Sequence, residues 1–81
     1  MKIEIYREEK ELFCRMPGQG DASLLELCIA FEIIPADQMI IKWGPKVPEI
    51  VAVCPLNEKE KNFIEDLQLK LNEKYESAQN L

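Results

Sequence analysis

With no histidine in this 81-residue chain, the side chains weighed first for chemistry are its three cysteines and fifteen carboxylates. Cys14, Cys28 and Cys54 are too widely spaced for a zinc site and form no CxxC redox pair. Each falls among apolar neighbours, so the expectation is small buried thiols in a reducing compartment, with no metal and no cofactor. Gly18-Gln19-Gly20 is too short for a phosphate loop and follows no convincing strand. What remains is carboxylate chemistry, and general acid–base work needs carboxylates whose surroundings tune their pKa. The densest group instead lies on the outer side of what reads as the last helix, where strong tuning is not expected. No catalytic residue is nominated, and the chain is not expected to be an enzyme.

That last helix sorts its charges by face. From residue 57 to about residue 78 the sequence is NEKEKNFIEDLQLKLNEKYESA. Wound at about 100° per residue, it puts Phe63, Ile64, Leu67, Leu71, Tyr75 and Ala78 in one stripe. The opposite face carries Glu58, Glu65, Asp66, Glu73 and Glu76, with Leu69 near its middle and Asn62 beside it, while Lys59, Lys61, Lys70 and Lys74 fall toward the flanks. An acidic face with an apolar centre fits a basic groove on a protein partner, although charged helix exteriors also serve only to keep a domain solvated. A net charge of −5 argues against direct nucleic-acid binding, which needs a basic footprint.

The elements that must position this helix are legible from periodicity. Lys2-Ile3-Glu4-Ile5-Tyr6 alternates with period two and reads as a strand with Ile3 and Ile5 inward. Leu12-Phe13-Cys14-Arg15-Met16 reads either as a second strand closing a hairpin or as an extended connection over the core. Pro17-Gly18-Gln19-Gly20 breaks the chain, and Ser23-Leu24-Leu25-Glu26 has the form of a capping box. A helix is expected from there to Ile34, before Pro35, with only Glu26 and Glu32 interrupting an apolar surface. Met39-Ile40-Ile41-Lys42-Trp43 and Glu49-Ile50-Val51-Ala52-Val53-Cys54 read by composition as two strands of a hairpin about Gly44-Pro45-Lys46-Val47-Pro48. Asn57 with Glu60 offers a second box-like helix start. The expected architecture is a single α+β domain over residues 1–81. Its order is β-α-β-β-α, with two helices on one face of a three-stranded sheet, four-stranded if residues 12–16 pair.

Several strings along this order resemble the DinI-like family of DNA-damage-inducible and prophage-encoded proteins that act on the RecA recombinase. Met1-Lys2-Ile3-Glu4-Ile5 is similar to the family's opening, and Pro35 stands where members place a proline after the first helix. Ile41-Lys42-Trp43-Gly44 resembles the basic strand end and turn. Asn57-Glu58-Lys59-Glu60-Lys61 resembles the start of the last helix, and Tyr75-Glu76-Ser77-Ala78 its aromatic-Glu-Ser-Ala ending. Residues 6–16 differ from the family pattern, the helix from about Ser23 to Ile34 is shorter and more apolar than the family's, and Gln79-Asn80-Leu81 stand where acidic residues and a tryptophan commonly follow. The resemblance implies a last helix that docks on the RecA filament and modulates it in the SOS response. Glu58, Glu65, Asp66, Glu73 and Glu76 would then supply charge complementarity, and Leu69 an apolar anchor.

Two other readings stay open at this stage. One is a homodimeric accessory protein assembled through the apolar helix over residues 24–34. The other is an inhibitor or immunity-type protein that covers a basic site on another target. The opening decapeptide lacks the features of a secretory signal, and no apolar run is long enough to span a bilayer, so a cytoplasmic chain is expected.

Overall fold

The opening alternation forms β1 (Lys2–Glu8), with Ile3 and Ile5 fully buried. The structure is a computed structural model that describes residues 1–79, so Asn80 and Leu81 of the expected domain lie outside the described residues. Residues 12–16 belong to a true strand, β2 (Glu11–Met16), which pairs antiparallel with β1 in the register Ile5 to Cys14 and Tyr6 to Phe13. Residues 20–23, which span the end of the expected breaker at Gly20 and the expected helix cap at Ser23, form a third strand, β3 (Gly20–Ser23), antiparallel to β2. Positive φ at Gly18 and Gly20 turns the chain back there, a conformation glycine adopts without a Cβ clash.

The chain passes from β3 directly into α1 (Leu24–Ile33). The Ser23 hydroxyl accepts from the Glu26 N–H at 3.2 Å, so the expected N-cap is present. Leu24, Leu27 and Phe31 are the buried residues of α1.

The expected strand at residues 39–43 is a helix, and with it the expected hairpin to residues 49–54 falls away. This helix is α2 (Ala36–Trp43), entered from Pro35 and closed at Gly44, whose φ is 98°. A strand would have set Met39, Ile41 and Trp43 on one side. In the helix Met39 and Trp43, four residues apart, share the buried face, and Ile41 is 86% exposed. Residues 49–52 are β4 (Glu49–Ala52), paired parallel to β1 with Ile3 opposite Ile50. A parallel neighbour needs a long crossover, and α1 with α2 provides it.

The result is α+β, with the sheet order β3-β2-β1-β4 and a final helix, α3 (Glu58–Gln79). Relative to the expected order, α2 stands in place of a strand and β3 is an added one. Ile3, Ile5, Cys14 and Met16 from one sheet face share a single core with Leu27 and Phe31 of α1, Met39 and Trp43 of α2, and Ile64, Leu67, Leu71 and Tyr75 of α3. Phe31 and Trp43 meet edge to face at 5.3 Å between ring centroids, and the Trp43 indole N–H is buried without an acceptor among the described residues. No helix among the described residues is long and apolar enough to cross a membrane.

Candidate protein-binding face

α3 starts where the second box was expected, and this box is reciprocal. The Asn57 side chain accepts from the Glu60 N–H at 2.8 Å, and the Glu60 carboxylate accepts from the Asn57 N–H at 3.0 Å. Glu60 also accepts from Arg7 of β1 at 2.7 Å. The Arg7 hydrogen bond, followed by that of the Asn57 N–H, holds the Glu60 carboxyl below the ordinary glutamate range.

Three more polar ties fix the rotation of α3. Gln68 reaches the open edge of β4, accepting from the Ile50 N–H at 2.7 Å and donating to the Pro48 carbonyl at 3.0 Å. That occupies backbone groups an edge strand would otherwise present. The Tyr75 hydroxyl donates to the Met39 carbonyl of α2 at 3.4 Å. The Lys74 ammonium donates to the Phe31 and Ile34 carbonyls at the end of α1, a cation placed where the helix leaves its carbonyls unpaired.

With the rotation so fixed, the nominated residues come out on one side. Glu58, Glu65, Asp66, Leu69, Glu73 and Glu76 are all exposed, in a band that runs about 27 Å along the helix axis. Leu69 is 56% exposed at its middle. Asp66 pairs with Lys70 at 3.7 Å, and Glu65, Glu73 and Glu76 make no ion pair among the described residues. Because Lys74 is turned into α1, the second half of the band is more acidic than a helical wheel implies.

One residue of the apolar stripe is displaced. Ile64, Leu67, Leu71, Tyr75 and Ala78 are buried, but Phe63 is 48% exposed. It stands at the lip of a groove of about 290 Å³ between α1 and α3, whose α1 wall includes Cys28. Sequence reasoning missed this groove. The available signal was the position of Phe63 at the margin of its stripe, about 80° from the centre. Cys28 and Cys54 are only part-buried, so among the cysteines Cys14 alone is the fully buried thiol that was expected of all three.

The other face of the sheet is occupied with itself. Tyr6 and Phe13 stack at 5.8 Å, Arg15 lies 5.0 Å above the Tyr6 ring, and the Tyr6 hydroxyl donates to Asp21 at 2.8 Å. Among the described residues no group of three or more cysteines or carboxylates is arranged to hold a metal ion.

No family model, curated protein or solved structure matches the chain.

Proposed function

We propose that this chain is a non-enzymatic regulator that works in the cytoplasm by docking the outer face of α3 on a basic groove of a protein partner. The RecA filament is the partner to which the family resemblance points. The observation that carries the reading is the exposed band of five carboxylates around Leu69 on a helix whose rotation is held from β1, β4, α1 and α2. A rigid helix presents its charges with little ordering cost on binding. Opposite charge on the partner then supplies encounter rate and register, while Leu69 supplies a small desolvated centre.

The test is a pull-down and a filament-stability assay with purified RecA. Leu69→Ala combined with Glu65→Lys and Asp66→Lys is expected to weaken binding by at least about tenfold, equivalent to about 1.4 kcal/mol. Unchanged binding and unchanged filament stability would remove the face from consideration. If the unsubstituted chain leaves RecA untouched, affinity capture from the source cell, compared between the chain and the triple variant, identifies which basic target the face serves.

A further inference from the structure

Between α1 and α3 the core does not close. Phe31, Leu67 and Leu71 line the groove that runs there, with Cys28 on the α1 side and Phe63 on the α3 side. Outside it the surface stays apolar. Leu25, Ile29 and Ile33 recur every fourth residue on α1 and are all exposed, Leu25 at 70% and Ile33 at 74%. Leu25 also stands three residues before Cys28, so the exposed ridge adjoins the wall of the groove. A continuous apolar surface of this kind on a small domain marks an interaction site.

The charges around it select the occupant. Glu32, Asp66, Lys70, Glu73 and Lys74 border the groove. Lys74 is directed into the Phe31 and Ile34 carbonyls, and Lys70 is matched by Asp66. That leaves Glu32 and Glu73 as the rim charges without an ion-pair partner among the described residues, and α1 itself carries no basic residue. A second copy would bring the same carboxylates and another −5 of net charge, so self-association is opposed electrostatically. A cationic partner is favoured by the same field.

We propose that this groove seats a basic amphipathic helix of a protein partner. Apolar side chains at helical spacing sit between Phe63 and Cys28 and over Leu25 and Ile29, and flanking Lys or Arg residues meet Glu32 and Glu73. The site is separate from the Leu69 face and does not rest on it, although Asp66 and Glu73 border both.

The probe is a fluorescein-labelled amphipathic Leu/Lys peptide, read by anisotropy at physiological salt beside a scrambled peptide of the same composition. A second readout is peptide-resolved alkylation of Cys28. Burial, and then the Glu32 carboxylate, push that thiol up, so labelling is run at alkaline pH. The amphipathic peptide is expected to bind about tenfold more tightly than the scrambled one and to slow alkylation of Cys28 but not of Cys54. Glu32→Lys with Glu73→Lys, both on exposed positions, and separately Phe63→Ala, each lower that affinity about tenfold with unchanged circular dichroism. Leu69→Ala with Glu65→Lys leaves it unchanged, which separates failure here from failure of the α3 face. Equal binding of the scrambled peptide, or binding that leaves Cys28 equally reactive, overturns the proposal. So does a homodimer by light scattering in which Cys28 is already protected, because a second copy would then fill the groove.

Discussion

α1 and α3 pack on the same core but leave opposite surfaces behind. α3 buries one stripe and turns carboxylates outward, with Leu69 as the exposed leucine of the band. α1 buries Leu24, Leu27 and Phe31 and still exposes Leu25, Ile29 and Ile33. A helix that is apolar on nearly every side has more hydrophobic surface than an 81-residue domain can cover. The difference separates two kinds of exposed surface on neighbouring helices. The α3 face offers charge with a small apolar centre, and the α1 side offers apolar area with charge only at its rim.

The sharpest test of that contrast is to shorten one side chain on each helix. Leu71 on α3 is 1% exposed and sits in the shared core, so Leu71→Ala is expected to cost about 2–5 kcal/mol in urea denaturation. Leu25→Ala on α1 removes as much side chain from a position already in water, and a change within about 0.5 kcal/mol is expected. A large loss at Leu25 would mean that α1 is covered in solution, and the contrast between the helices would disappear.

The helix starts give a smaller effect of the same form. Asn57→Ala combined with Glu60→Ala removes both bonds of the reciprocal box, because Asn57→Ala alone keeps the backbone N–H that donates to Glu60, and is expected to cost about 1.5 kcal/mol. Ser23→Ala breaks the single bond to the Glu26 N–H and is expected to cost about 0.5 kcal/mol, the low end for such caps. Equal losses would show that the Glu60 half of the box contributes nothing. Lys74 joins the two helices, and Lys74→Met, which keeps the stem but removes the charge at the end of α1, is expected to cost about 1 kcal/mol.

Both helix starts were readable from sequence because their geometry is local, a side chain and a backbone N–H three residues apart, although at α1 only the Ser23 half of the expected box forms. The α3 face was readable for the same reason, since one helix's wheel does not depend on what packs against it. Residues 39–43 were misread because Ile40, Ile41 and Trp43 favour strands by composition, and that preference follows surroundings more than backbone. The better signals were there: Pro35 before, Gly44 after, and Met39 with Trp43 at a spacing of four. β3 was hidden because Gly20-Asp21-Ala22-Ser23 has no strand-forming residue, and only pairing with β2 makes it one. The groove was hidden for a different reason. It arises from how α1 and α3 fail to meet, and neither helix's own periodicity encodes that.

The last contrast between the helices is in their response to acid. The start of α3 depends on a titrating group, Glu60, whose carboxyl is held below its ordinary range by Arg7 and then by the Asn57 N–H, whereas the cap of α1 is the hydroxyl of Ser23. A carboxyl depressed in the folded state binds its proton more readily in the unfolded chain. Its contribution is therefore complete above the unfolded value, about pH 4.3, and disappears as pH falls through the lower folded value. Lowering the pH from about 5 to about 3 should thus lower the amide protection factors, each corrected for the intrinsic exchange rate at its pH, more in the first turn of α3 than in the first turn of α1. Glu60→Gln should remove most of that difference, and Arg7→Met should reduce it, because Arg7 is the larger of the two causes. If the two helix starts loosened in parallel, the acid response would belong to the whole domain, and the pairing of β1 with α3 through Arg7 would have no separate part in holding the acidic face in place.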